Sequence, residues 1–143
     1  MSLDTTPIRN AITARVATIP GMVVFEDEIP DNETVPTTSS GKLKPYVVLY
    51  FTEPARSARG RGIVSSRHDT NMMLCTAQIV AADTNAANLQ IDNVRDVLTG
   101  WHPPDAGEMM LYGGSAYSRK GGTVAPTEYV RETVFRFPCN LTF

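Results

Sequence analysis

The residue types that catalyse reactions are few in this 143-residue chain, and their spacing does not suit catalysis. The two histidines are His68, which stands next to Asp69, and His102, which precedes two prolines. Adjacent residues of a strand point to opposite faces, so His68 and Asp69 do not form a ready-made acid–base pair. The Gly-x-Ser-x-Gly pattern of a nucleophilic serine is absent, and Ser115 has no histidine nearby in the sequence. We therefore predict no catalytic residue and no enzymatic activity.

Two glycine-containing segments match nucleotide-binding loops only in part. The segment Gly60-Arg61-Gly62 begins like a dinucleotide fingerprint, but Ser65 stands where the third glycine belongs, and no βαβ unit follows. Residues 113–122 include Lys120 but lack the spacing of a P-loop. We predict no cofactor, and we interpret residues 113–122 as a flexible glycine-rich loop.

The two cysteines, Cys75 and Cys139, lie far apart in the sequence. Neither has a second cysteine or a histidine at metal-ligand spacing. Both stand in apolar runs, where an unpaired cysteine usually behaves as a small buried hydrophobe. We predict that they bind no metal, and a disulfide between them stays open as an alternative.

An acidic run, Glu26-Asp27-Glu28, follows the first predicted strand, and Asp31 and Glu33 come shortly after it. The spacing of these carboxylates does not match the calcium-binding loop, so we predict no metal site there. We interpret Glu26, Asp27 and Glu28 as a solvated edge or as a contact patch for a basic partner surface.

The segment 53–71 is rich in arginine and contains Arg56, Arg59, Arg61 and Arg67 among small and polar residues. Such a segment suits phosphate contact, which needs positive charge. It lacks the aromatic residues on which a single-strand binder stacks bases. The alternatives are contact with acidic residues of a neighbouring subunit, or a solvated loop. We therefore take the four arginines as candidates for a subunit interface or for the lining of a lumen.

The composition describes one ordinary globular domain that spans residues 1–143. Hydrophobic residues make up 42% and charged residues 20%, which is not the profile of a disordered chain. A net charge of −2 argues against bulk attraction to nucleic acid or membranes as the main function. The N-terminus lacks a secretory signal, and no apolar run reaches the ~20 residues that span a bilayer. We expect synthesis in a reducing cytoplasm and no membrane partner.

Hydrophobic periodicity predicts two helices and five strands. One helix opens the chain and ends at Pro20-Gly21, with an apolar stripe at Ile8, Ala11, Ile12, Val16 and Ile19. The second begins at Asp83 and ends at about Thr99, with a buried stripe at Ala87, Ile91, Val94 and Leu98. Strands are predicted at about 22–25, 46–51, 72–82, 109–112 and 128–143. The more apolar face of the third strand is formed by Met73, Cys75, Ala77, Ile79 and Ala81, and Glu132 lies on the polar side of the last strand. The fold class is α+β: a mainly antiparallel sheet packed by two helices, with long loops and a projecting arm at 53–71.

The strand at 46–51 is apolar at consecutive positions, so we expect a helix or a partner subunit on each of its faces. The chain has few helices to cover this strand and the other apolar strands. In a ring, a neighbouring copy covers a sheet face or edge, so we expect a ring-forming subunit.

The order of elements resembles the tail-terminator (tail-completion) proteins of long-tailed bacteriophages. The resemblance begins with the helix at 7–15 and its exit through residues 19–21. It continues with the strand at 44–50, the strand-to-helix passage at 77–83, the helix at 93–98 and the long C-terminal strand. It spans most of the chain.

This resemblance implies a hexameric ring at the head-proximal end of the tail tube, which ends tube polymerisation and joins the tail to the head connector protein. It implies a virion component assembled in the host bacterial cytoplasm, with DNA passing through the lumen without sequence-specific binding. The family has no catalytic residues to carry over. Three alternatives remain open: another connector, neck or tail-tube subunit, a small nucleic-acid-binding module that uses the arginine-rich arm, or a hydrolase with a site assembled from distant residues.

Overall fold

The computed structural model of the chain describes residues 5–27, 43–52, 55–56, 71–104, 106–119 and 127–139. In chain order the elements are helix α1 (Thr6–Val16), strands β1 (Val23–Glu26), β2 (Tyr46–Phe51), β3 (Ala55–Arg56) and β4 (Asn71–Ala81), helix α2 (Thr84–Leu98), and strands β5 (Met110–Arg119) and β6 (Glu128–Cys139). Two helices with one sheet make an α+β fold, so the predicted fold class is confirmed.

Six strands form a single sheet in the described part of the chain. Five of them follow the order β1-β2-β4-β6-β5, and the two-residue β3 pairs with one end of β4. β1 and β2 run parallel, and every other pair is antiparallel. The long strands β4 and β6 therefore form the centre of the sheet, and β1 and β5 are its outer strands.

Helix α2 lies where its apolar stripe predicts it. Asp83 begins the helix, because its carboxylate accepts a hydrogen bond from the Ala86 N–H at 2.7 Å. Such a cap stabilises a helix by about 1 kcal/mol. The helix stops before Gly100, which has a φ of +79°, a conformation that glycine adopts with little strain. The buried residues are the four predicted ones: Ala87, Ile91, Val94 and Leu98.

Helix α1 also follows its predicted stripe and buries Ile8, Ile12 and Val16. A proline in its first turn suits a position where the missing N–H costs nothing. Arg15, in its last turn, donates a hydrogen bond to the Val97 carbonyl at 2.6 Å, which ties α1 to α2. The two helices therefore pack beside each other.

Both helices lie on the same face of the sheet, which we call the covered face. Odd-numbered residues of β4 and β6 point to it, as the register pair Cys75 and Phe135 illustrates. This face contains the main core, built from the helix stripes together with Val47, Leu49, Met73, Cys75, Ala77, Ile79, Met109, Phe135, Phe137 and Cys139.

The opposite face carries no helix in the described part of the chain, and we call it the open face. It contains a smaller apolar cluster at the β1 side of the sheet: Phe25, Leu43, Tyr46, Val48, Val80 and Val130. The rings of Phe25 and Tyr46 meet edge to face, with 6.0 Å between their centroids. Residues 46–49 of β2 are consequently buried on both faces. This confirms the double burial. On the open face the described part of the chain buries these residues within its own cluster, and cover of that face by a helix or a partner subunit stays a prediction.

The main error of the sequence analysis lies in β5. We predicted a short strand at 109–112 followed by a flexible loop, whereas β5 continues to Arg119 and pairs with β6 throughout. Gly113 and Gly114 made this segment look like a loop. Glycines within a strand mark bulges and close approaches of the backbone. The register shifts between Leu111 and Gly113, and a Cβ on Gly114 would lie 2.7 Å from the Glu132 carbonyl oxygen.

Candidate interaction surface

The predicted acidic patch begins at the end of β1. Glu26 points to the covered face and forms an ion pair with Arg9 of α1, at 2.8 Å between Oε1 and Nη1. Asp27 follows with a φ of 65°, is exposed, and donates its backbone N–H to the Leu49 carbonyl at 2.8 Å. Glu28 lies outside the described residues. The role of this patch as a contact surface stays a prediction, and within the chain Glu26 already holds α1 to the sheet.

The predicted arginine-rich arm is described only at its base. Arg56 is the last residue of β3, which pairs antiparallel with β4 so that Arg56 lies opposite Asn71. Arg59, Arg61 and Arg67 lie outside the described residues. Their proposed contact with a neighbouring subunit or with a lumen therefore stays a prediction.

The residues considered for catalysis do not come together in the described part of the chain. His68 and Asp69 lie outside it, and His102 is exposed after α2. The hydroxyl of Ser115 donates to the Glu132 carboxylate at 3.0 Å, as part of a polar network. No group of three or more histidine, cysteine or acidic residues suited to a metal occurs among the described residues. Likewise, none of the helices described is long and apolar enough to cross a membrane.

Both cysteines are free thiols buried on the covered face. Burial raises the pKa of Cys75 from 9.0 to about 12, and the nearby Glu26 carboxylate adds to the rise. Burial likewise raises the pKa of Cys139 to about 11. Because the thiolate is the reactive form, these side chains act as core residues and not as nucleophiles.

A polar network occupies the half of the open face nearest β5. The Glu132 carboxylate accepts hydrogen bonds from Ser115 Oγ at 3.0 Å, from Tyr117 Oη at 3.2 Å and from Gln78 Nε2 at 3.0 Å. Gln78 Nε2 also donates to Tyr117 Oη at 2.8 Å. The sequence analysis noted Glu132 on the polar side of the last strand but not its partners, which come from strands that are distant in sequence. This network fixes polar side chains on a sheet face that no helix covers in the described structure.

Exposed aromatic and apolar side chains surround this network. Tyr50, Met110, Tyr112 and Tyr117 all lie on the open face with 39% or more of their surface exposed. Tyr112 is the most exposed of them at 59%, and the Arg136 guanidinium stacks 5.4 Å from its ring centroid. Tyrosine and arginine are enriched in protein interfaces. The open face therefore combines the residue types of a contact surface.

The two outer strands of the sheet differ in how they are protected. β1 has only four residues and ends at the charged Glu26. β5 is ten residues long, and its positions 110–118 contain neither a charge nor a proline. Natural proteins protect sheet edges with short strands, charges or prolines, because an open edge offers unpaired N–H and C=O groups. Among the described residues only the bulge near Tyr112 protects the outer side of β5, so in this part of the structure that edge is open to pairing with another chain.

A groove runs between α2 and β5 on the covered face. Its cavity of about 500 Å³ is lined by Asn88, Ile91, Asp92, Arg95, Gly114, Ser115, Ala116, Arg131 and Glu132. The groove exists because α2 packs over β4 and β6 and leaves β5 without a helix above it. Small residues on β5, Gly114 and Ala116, keep its floor low.

Two arginines supply the positive charge of this groove. Arg131 Nε donates to the Asn88 side-chain oxygen at 2.9 Å. Arg95 Nε is buried and has no hydrogen-bond partner in the described part of the chain. A buried donor without a hydrogen-bond partner lowers stability by about 1–3 kcal/mol, so Arg95 would gain from an acceptor supplied at this edge. The sequence analysis missed Arg95; Asn88, Asp92 and Arg95 recur at spacings of four and three, which was the available signal.

Comparison with protein-family models finds no match, and comparison with curated proteins finds none either. Among solved structures, one chain of a structure described as the virion of a native gene transfer agent particle is similar to this chain. The TM-score is 0.56 and the sequences are 16% identical. The similarity covers 93% of this chain and 94% of the other. At this identity the two chains share a fold, over nearly the whole length of each.

Proposed function

We propose that this protein is a structural subunit of a phage-like virion, and more specifically a tail terminator. In this role it forms a hexameric ring at the head-proximal end of the tail tube, ends tube polymerisation and joins the tail to the head connector. The observation that carries the proposal is the end-to-end similarity of its fold to one chain of a gene transfer agent virion. The order of elements that resembles tail terminators points the same way.

A fold alone does not determine function, so the surface must support the role as well. The open face presents exposed tyrosines and Met110 beside an ordered polar network. The β5 edge presents unpaired backbone groups over a long uncharged strand. Exposed aromatic side chains and an open strand edge are features of contact surfaces, and a subunit of a closed ring needs such surfaces on two sides. The proposed function is therefore non-enzymatic and depends on contacts between copies and with the tube and connector.

The proposal is tested by the native mass of the purified chain, followed by its effect on tube assembly. Native mass spectrometry should give a species of six times the 15.6 kDa subunit, and particle images should show rings. Added to the tail-tube protein of the same phage, these rings should bind tube ends and limit tube length.

Each alternative predicts a different result in the same experiment. A tail-tube subunit would polymerise into open-ended tubes without a partner. A nucleic-acid-binding module would stay monomeric and bind DNA with an affinity that falls steeply with salt. Either of these results would overturn the tail-terminator proposal.

A further inference from the structure

The strand directions and register of the sheet indicate how two copies of this chain can pair at their edges. β1, β2 and β6 run in one direction, and β4 and β5 run in the opposite direction. If a second copy continues the sheet with the same face outward, its β1 lies antiparallel to β5 of the first copy. Hydrogen bonds between antiparallel strands run perpendicular to the strands, and such pairs are slightly more stable per residue than parallel ones.

The register also places specific residues of the two outer strands at the same level. One row across the sheet joins Glu26, Leu49, Ala77, Thr133 and Gly114 in succession. The neighbouring rows place Val24 level with Ala116, and Val23 level with Tyr117. A second copy that joins without a stagger therefore brings its Glu26 opposite Gly114 of the first copy.

The charges at this position are complementary. Glu26 points to the covered face, where the groove beside β5 lies. A Cβ on Gly114 would be 3.4 Å from Arg95 Nη2, so a carboxylate opposite Gly114 arrives next to this guanidinium. Arg95 has a buried Nε without a partner in the described structure. The groove also contains the carboxylates of Asp92 and Glu132, so the complementarity is that of Glu26 with Arg95 and not with the groove as a whole. In the joined pair, Glu26 would lie between Arg9 of its own copy and Arg95 of the next.

We propose that β1 of one copy adds antiparallel to the β5 edge of the next copy, with Glu26 of the first beside Arg95 of the second. This inference rests on the ring-forming part of the proposed function and names the contact by which the ring closes. Because two different edges meet, the contact is head to tail, the type that generates rings. An isologous β5–β5 contact would instead stop at a dimer.

Cysteine cross-linking tests the register directly. The variant Val24→Cys/Ala116→Cys places two thiols on the same row and the same face of the joined sheet. The matched control, Val24→Cys/Ser118→Cys, moves one thiol by two residues along the same face of β5. Mild oxidation of the first variant should give a ladder of cross-linked species up to the full ring, and the control should give little or none. The two native cysteines are buried on the covered face and are present equally in both variants.

Measuring the native mass of the same samples separates the failure of this inference from that of the proposed function. Rings that form without a Val24–Ala116 ladder would overturn the edge contact and leave the ring proposal standing. Dimers from Ala116→Cys alone would reveal a β5–β5 contact and would also overturn it. A chain that stays monomeric would overturn both.

A double-mutant cycle tests the ion pair. Arg95→Gln should weaken ring association by on the order of tenfold, the usual effect of losing a hydrogen bond to a charged group. In a Glu26→Gln background the same change should have little further effect. The two residues lie on opposite edges, roughly 19 Å apart across four strand spacings, so coupling between them has to act between copies. The charge-matched control is Lys44→Gln, which removes a positive charge from an exposed side chain outside the groove lining. Additive effects of Arg95→Gln and Glu26→Gln would contradict the pairing.

Discussion

The two faces of the sheet have the same strands but are built for different purposes. On the covered face, the side chains of β4 and β6 at 73, 75, 77, 79, 133, 135 and 137 are fully buried under two helices. On the open face, the alternate positions include a small apolar cluster at one side and exposed tyrosines with a polar network at the other. A single residue step along a strand thus moves a side chain from the main core to the open face.

This difference separates the residues that maintain the fold from those available for assembly. The main core includes both helix stripes and the covered-face residues of the central strands, so it supplies most of the apolar burial. The smaller cluster of the open face buries six side chains and leaves Tyr50, Tyr112 and Tyr117 in solvent. Substitutions at two neighbouring positions of one strand can therefore compare the two faces, because the positions are adjacent in the chain but point to opposite faces.

The largest expected difference between the faces is the reactivity of a thiol. At pH 8 a pKa raised from 9.0 to about 12 lowers the thiolate fraction of Cys75 by about a thousandfold. We expect Cys75 to react with an alkylating reagent only on the timescale of unfolding. A Thr76→Cys variant places a thiol one residue further, on the open face, and should react far faster. Mass spectrometry measures the labelling rate of each thiol. Equal rates for Cys75 and for the cysteine at position 76 would contradict the difference between the two faces.

The same pKa gives a pH dependence of stability. The unfolded chain loses this proton as the pH rises through about 9, while the folded chain keeps it until about pH 12. The unfolded state therefore binds fewer protons in this window, and the free energy of unfolding falls as the pH rises. The stabilisation is fully present below pH 9. In a Cys75→Ala variant the free energy of unfolding should fall less steeply between pH 9 and pH 11, as measured by urea unfolding at each pH.

The next largest effect is expected from aromatic truncation. Phe135→Ala removes a fully buried ring from the covered face and should lower the free energy of unfolding by about 3–5 kcal/mol. Tyr112→Ala removes a ring of similar size from the open face, where 59% of it is exposed, and should change stability by less than about 1 kcal/mol. Urea unfolding measures both changes. If Phe135→Ala does not fold, Phe135→Leu should still lower the free energy of unfolding by more than Tyr112→Ala, although by less than Phe135→Ala.

Sequence reasoning predicted the elements that depend on local periodicity. The α2 stripe at Ala87, Ile91, Val94 and Leu98 was found in full, because helix burial repeats every three or four residues. Cys75 was placed correctly on the buried face of its strand for the same kind of reason.

What sequence reasoning missed depends on contacts between distant segments. The sequence predicts a loop for residues 113–119 of β5 because Gly113 and Gly114 lower strand propensity, and only their pairing with β6 overrides this. The strand order, which makes β5 an outer strand next to α2, is likewise not encoded in any local pattern. Arg95 was missed because its significance arises from that neighbourhood.

A pair of neighbouring valines on β2 compares the two apolar clusters directly. Val47 is fully buried in the main core, and Val48 is buried in the smaller cluster of the open face. We expect Val47→Ala to lower the free energy of unfolding by about 2–3 kcal/mol and Val48→Ala by about 1–2 kcal/mol, because the smaller cluster relaxes more easily around a lost side chain. Urea unfolding at one pH measures both. If Val48→Ala lowers the free energy of unfolding more than Val47→Ala does, the cluster on the open face contributes more to stability than the main core at this strand.

The smallest effects are expected from polar groups, where the two faces should differ in sign. Glu132 on the open face accepts three side-chain hydrogen bonds, so Glu132→Ala should destabilise the protein by about 1 kcal/mol. Thr133, the next residue, is fully buried on the covered face, and its hydroxyl has no partner in the described structure. Because a buried hydroxyl without a partner is costly, Thr133→Val should stabilise the protein by about 1 kcal/mol.

The sign of these two changes is more informative than their size. Thr133→Val keeps the shape of the side chain, so a gain in stability would isolate the cost of the unpaired hydroxyl. A Gln78→Ala variant controls for the other substitution, since it removes one partner of Glu132 and should lose less than Glu132→Ala. A loss of stability in Thr133→Val would reveal a hydrogen bond to this hydroxyl on the covered face. The covered face would then satisfy its polar groups through hydrogen bonds as the open face does, and the two faces would no longer differ in this respect at Thr133.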